Sequence, residues 1–119
     1  MAQILILEDN YDMMLALSEV LELNGHQVEH SPNGRDGLAL LGQMADSPDL
    51  IITDAAMPYV TGFEVIQQLK ANQSWQQIPI VMVSGRQSDE PQALDLGADA
   101  FVLKPFKFHE FDELLDKLL

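Results

Sequence analysis

Short apolar runs alternate along the chain with stretches in which apolar residues return every three or four positions. "QILILE" at 3–8 predicts a strand, and over 12–24 Met13, Leu17, Val20 and Leu21 recur at helical spacing before Asn24-Gly25 supplies a stop. "HQVEHS" at 26–31 is a weaker strand, followed by a Pro32-Asn33-Gly34 turn and a helix over about 35–45 that carries Leu38 and Leu41 inward. "DLIITD" at 49–54 returns to continuous strand character, and beyond Gly62 the spacing of Phe63, Ile66 and Leu69 predicts a third helix. "IPIVMVS" at 78–84 is a fourth buried strand. Residues 87–97 form a weaker helix, interrupted by Pro91 and ended by Gly97, before "DAFVLK" at 99–104 gives a fifth strand that Pro105 breaks. A last helix over 107–118 buries Phe111, Leu114, Leu115 and Leu118.

Strands that alternate with helices, the central ones apolar throughout rather than at every second position, describe a parallel sheet covered on both faces. Right-handed crossovers then bring every strand's C-terminal end to one edge, the edge at which such sheets bind ligands. Composition narrows the picture. The 119 residues fit one domain, long enough to bury roughly two-thirds of its unfolded surface. The absence of cysteine excludes disulfides, thiolate metal sites and cysteine nucleophiles. No apolar run approaches the roughly 20 residues of a membrane span, and "MAQILILEDN" lacks a basic segment leading into an apolar one, so a cytoplasmic location is expected. A formal charge of -13 repels phosphate backbones and argues against direct nucleic-acid binding; its plainest consequence is solubility.

The predicted strand tips carry the chemistry. The first strand ends at Glu8 and Asp9, the third at Asp54, the fourth at Ser84 and the fifth at Lys104. Three carboxylates brought together repel unless a cation lies between them, and oxygen ligands without His or Cys suit Mg2+ or Mn2+, with a backbone carbonyl and waters completing an octahedron. Asp9 also fits an ordinary capping or first-turn acid of a helix starting near Asp12. Lys104, at the end of a buried strand, is aimed to pair with Asp54 or with an anion attached to it, although most lysines are solvated surface groups. The Lys104-Pro105 bond is a candidate cis peptide. Ser84 can donate to a phosphoryl oxygen or remain a loop hydroxyl, and Gly85 leaves backbone N–H groups open to an anion. A nucleophilic carboxylate, a divalent ion, a lysine and a hydroxyl suit phosphoryl transfer, which depends on neutralisation and positioning more than on acid–base chemistry.

In order along the chain, "ILEDN", "ITDAAMP", "VMVSG" and "GADAFVLKPF" resemble the receiver domain of two-component response regulators over residues 1–119. The resemblance implies a flavodoxin-like α/β fold, a doubly wound five-stranded sheet in the order 2-1-3-4-5 flanked by five helices. It implies Asp54 as phosphoacceptor, and Asp9, Glu8 (through water), Asp54 and the Ala56 carbonyl as the Mg2+ site. Ser84 and Lys104 would contact the phosphoryl group, and Phe101 matches a switch aromatic whose rotamer follows phosphorylation. Phe101 is equally well read as core. The implied donor is a phosphohistidine on a histidine kinase or histidine phosphotransfer protein, and the output is a downstream protein target or an effector domain. A homodimer through the last helical face is left open, and no membrane partner is implied. His26, His30 and His109 fall on the second strand and the last helix, away from the site edge.

Two departures from the family pattern stand out. Ser84 and Gly97 are 13 positions apart, two fewer than usual, so the fourth helix is expected to be short and to start near Pro91. Gly85 replaces a small residue, often alanine, and adds backbone freedom. Ala56 has no side chain able to orient a hydrolytic water, which predicts slow loss of the phosphoryl group. Other functions fit less well. An aspartyl-nucleophile phosphohydrolase needs a second acid where Ala55 and Ala56 stand, and a nucleotide-binding domain needs a Gly-rich loop where Glu8-Asp9-Asn10 stands. A degenerate receiver used only for docking is the remaining alternative. The chain is therefore expected to be a switch that catalyses only its own phosphorylation and dephosphorylation, not an enzyme with an independent substrate.

Overall fold

A computed structural model describes all residues, 1–119. Five strands, β1 (Gln3–Leu7), β2 (Gln27–Ser31), β3 (Leu50–Asp54), β4 (Ile80–Ser84) and β5 (Ala100–Leu103), form one parallel sheet in the order β2-β1-β3-β4-β5. The connecting helices are α1 (Tyr11–Leu23), α2 (Gly34–Gln43), α3 (Gly62–Lys70), α4 (Glu90–Leu96) and α5 (Phe108–Leu118). The fold is therefore the flavodoxin-like one expected from the motifs. No helix is long and apolar enough to cross a membrane.

The apolar strands divide residue by residue between two cores, because side chains alternate across a sheet. Leu5, Leu7, Ile51, Ile80 and Met82 face the α2–α3–α4 layer, where Leu41, Val65, Ile66, Leu69 and Ala93 meet them. Ile4, Ile6, Leu50, Ile52, Val81 and Val83 face the other layer with Leu17 and Leu21 of α1 and Phe111 and Leu115 of α5. Each fully buried Ile or Leu contributes roughly 1.5–3 kcal/mol by leaving water, so both faces are strongly committed to their partners. β2 and β5 lie at the sheet edges and are less buried, which explains the weak apolar signal at 26–31.

Local boundaries follow capping chemistry. The α1 helix starts at Tyr11, one residue before Asp12, because Asn10 is its cap and accepts from the Met13 N–H at 2.9 Å. Thr61 and Glu64 form a reciprocal capping box at α3. One 3-10 turn, Gln87–Asp89, precedes α4, whose first turn accommodates Pro91 and whose end is closed by Gly97 at φ 116°. The short fourth helix is as the spacing predicts. His26 lies before β2, and its Nδ1 accepts from the Ala2 N–H at 3.0 Å.

Candidate functional site

Strand order reverses between β1 and β3, and the crevice at their C-terminal ends is where side chains from distant parts of the chain converge. Asp54 is the last residue of β3 and is buried; Glu8 and Asp9 follow β1 directly. Glu8 is 5% exposed, whereas Asp9 is open to solvent. One carboxylate oxygen from each of Glu8, Asp9 and Asp54 lies within 4.8 Å of the others. Lys104, just past β5, places Nζ 2.9 Å from Glu8 Oε1 and 3.2 Å from Asp54 Oδ1. The Lys104-Pro105 peptide is cis.

The backbone beneath Asp54 is tightly packed. A Cβ on Gly62 would overlap the Asp54 carbonyl oxygen, and the Gly62 N–H donates to the Ala55 carbonyl at 2.9 Å. Thr53 Oγ1 donates to the Asp54 carbonyl at 3.0 Å. Gly62 thus brings the α3 entry directly against the Asp54 backbone. In the sequence it marks only the start of a helix.

Burial dominates the electrostatics. It pushes the Glu8 carboxyl up to about 7, against the opposing hydrogen bond from Lys104, and the neighbouring Asp54 charge adds to the rise. Burial raises Asp54 as well, with Lys104 opposing. Burial by itself would lower Lys104, but its hydrogen bond to Glu8 and the two carboxylate charges outweigh it and hold the ammonium above its usual range. Both buried acids therefore ionise less readily than free carboxylates. A cation between them offsets that cost, and an all-oxygen set of three carboxylates fits a hard divalent ion. Asp9 does not cap α1, since Asn10 does, so its carboxylate is available to the cluster.

Ser84 ends β4 one position beyond Val83, the register partner of Asp54. Its hydroxyl is not free: it donates to Asp89 Oδ2 at 2.6 Å and accepts from the Arg86 N–H at 3.0 Å. Neither Asp89 nor Arg86 was legible as a site residue, because only the 3-10 turn folds them back onto Ser84. Ala56 is exposed two residues after Asp54, and a Cβ added at Gly85 would enter open space. Phe101 pairs in register with Met82 and is half-buried against the α3–α4 core, between the two roles expected of it. Contrary to the expectation, His30 does not lie away from the site edge: it shares a cavity of about 190 Å³ with Glu8, Asp9 and Tyr11, because β2 pairs with β1 and His30 sits opposite Ile6.

A doubly wound parallel sheet with an acidic cluster and a lysine at its switch point defines a phosphoryl-handling α/β domain. The chain belongs to the response regulator receiver domain family, whose model matches residues 4–116. It is 36% identical over 107 residues to protein PilH of Pseudomonas aeruginosa, covering 88% of this chain and 87% of that protein. It is 37% identical over 112 residues to the DNA-binding dual master transcriptional regulator RpaA of Synechocystis, covering 92% of this chain but 46% of the regulator. The chain thus spans about half the length of RpaA and of several other curated relatives. The signal receiver domain of a signal transduction histidine kinase from Syntrophus aciditrophicus superposes with a TM-score of 0.91 at 33% identity, covering 100% of this chain and 90% of that one. As a receiver domain, the chain is a phosphoaccepting switch of two-component signalling, with an acidic pocket suited to Mg2+.

Proposed function

We propose that residues 1–119 act as one receiver domain in which Asp54 is the phosphoacceptor. The observation that carries this reading is the position of Asp54, buried at a strand tip beside two other carboxylates and in direct contact with the Lys104 ammonium. A carboxylate oxygen of Asp54 attacks phosphorus on a donor phosphohistidine, the P–N bond breaks, and its electron pair returns to the imidazole ring. Lys104, already 3.2 Å from Asp54 Oδ1, neutralises the charge that arrives. Glu8, Asp9 and Asp54, with the Ala56 carbonyl, would hold Mg2+, and oxygen ligands of this type also admit Mn2+. When bound, the ion supplies charge neutralisation for the phosphoryl oxygens. Ser84 contacts the phosphoryl group once its hydroxyl turns toward Asp54, and Phe101 follows the change on β5.

The donor in this reading is a histidine kinase or a histidine phosphotransfer protein in the cytoplasm. The output is a docking event with a protein target or an effector domain, not direct nucleic-acid contact, in keeping with the charge of -13. Catalysis is confined to the domain's own phosphorylation and dephosphorylation. The test is incubation with a small phosphodonor and Mg2+ followed by intact mass. Wild type gains about 80 Da, the mass of one phosphoryl group. Asp54→Asn and an EDTA control do not, and equal labelling of Asp54→Asn overturns the assignment.

A further inference from the structure

The β4–α4 connection contains a buried carboxylate with no part in the acidic cluster. Asp89 ends the 3-10 turn and is 6% exposed. Its Oδ2 accepts from Ser84 Oγ at 2.6 Å, and its Oδ1 accepts from Arg86 Nη2 at 3.0 Å. The Arg86 side chain is largely solvent-exposed and anchors Asp89 from outside. Arg86 also donates its backbone N–H to Ser84 Oγ at 3.0 Å. A serine hydroxyl has a single proton to give. The alternative acceptor, the Arg86 carbonyl, is 3.5 Å away, so the short contact to the carboxylate holds that proton.

We propose that Asp89 is a positioning residue that holds the Ser84 hydroxyl off the phosphoacceptor and so biases the unphosphorylated protein toward its resting arrangement. The proposal rests on the reading of Ser84 as the hydroxyl that contacts the phosphoryl group. The phosphoryl oxygens and the Asp89 carboxylate are both anionic acceptors, and they compete for one proton. A two-state element of this kind is reversed when the added group binds one arrangement more tightly than the other. When Ser84 leaves, Asp89 keeps its ion pair with Arg86, so no buried charge is orphaned. Gly85, with no atom within 4 Å of the place a Cβ would occupy, leaves room for the segment between Ser84 and Arg86 to readjust.

The test uses beryllofluoride with Mg2+ as a stable stand-in for the phosphoryl group, titrated into wild type, Asp89→Asn, Ser84→Ala and the double variant. Asp89→Asn keeps the shape and removes the charge, and it is expected to bind the probe about threefold to tenfold more tightly, the scale of one weakened charge-assisted hydrogen bond. That gain disappears in the Ser84→Ala background. A gain that persists there overturns the proposal. Ser84 side-chain scalar couplings provide a second readout that needs no variant: wild type shows one rotamer at rest and another with the probe. Averaged couplings in the resting protein overturn the lock. If Ser84→Ala weakens probe binding and Asp89→Asn changes nothing, only the role of Asp89 falls; if Ser84→Ala binds like wild type, the reading of Ser84 falls, and the proposal with it.

Discussion

Lys104 Nζ lies 2.9 Å from Glu8 Oε1, joining residues 96 positions apart across the crevice, and reaches Asp54 Oδ1 with the same ammonium. One lysine thus partners both buried acids. Removing it leaves two desolvated carboxylates without a cation. Lys104→Met is expected to lower stability by about 1–3 kcal/mol without divalent ions, the cost of leaving buried groups unpaired. Added Mg2+ recovers part of that loss. Urea denaturation with and without Mg2+ measures both, and an equal loss in the two conditions contradicts the shared role.

Asp54 sits among like charges in a buried place, an arrangement useful for chemistry and costly for the fold. Asp54→Asn removes one charge and keeps the shape. The metal-free variant should gain about 0.5–2 kcal/mol in stability, the range typical of relieving such a site. Chemical denaturation reads the gain directly, and destabilisation of the metal-free variant would count against repulsion as the dominant effect.

The raised Glu8 carboxyl makes metal-free stability depend on pH with a definite sign. Its ordinary value is 4.5 and in the fold it rises to about 7, so the folded protein keeps a proton that the unfolded chain has released. This contribution is full below 4.5 and is lost as pH rises through about 7. Mg2+ competes with the same proton, so its affinity should climb over that interval and then level off. Thermal melts between about pH 5 and 8, with and without Mg2+, separate the two trends. A Mg2+ affinity flat across this window would refute the assignment of Glu8 to the site.

Two glycines near the site should respond in opposite ways. At Gly62 a new Cβ meets the Asp54 backbone, so Gly62→Ala is expected to cost about 1–3 kcal/mol as overpacking and to disturb phosphorylation. At Gly85 an added Cβ would meet no atom within 4 Å beyond its chain neighbours, so Gly85→Ala should leave folding nearly unchanged. Paired denaturation curves decide this.

Ala56 is exposed beside Asp54 and ends at a methyl group, so no side chain at that position orients a water toward the phosphoryl group. Purified phosphoprotein should therefore lose its label slowly. Intact mass followed over time provides the check, and a half-life of seconds would exclude the expectation.

Much of this protein was legible along the chain because a parallel sheet announces itself locally. Strands buried on both faces must be apolar throughout, as Ile51, Ile52, Val81 and Met82 are, and their C-terminal ends must share one edge. Glu8, Asp9, Asp54, Ser84 and Lys104 therefore gather from four strand tips, with Lys104 aimed at Asp54 as found. That the same ammonium also takes Glu8 is not written in the order of residues. Whether Asp9 caps a helix depended on Asn10 taking that place, and whether His30 approaches the acids depended on the β1–β2 register. The roles of Ser84, Asp89 and Arg86 depended on one 3-10 turn. Periodicity reports which face of an element is buried, and so the sequence by itself determined the sheet, the edge and the chemical types gathered there. Hydrogen bonds act over about 3 Å and depend on rotamer and turn geometry, so only the tertiary structure decided that Lys104 bridges Glu8 and Asp54 and that the Ser84 proton points to Asp89.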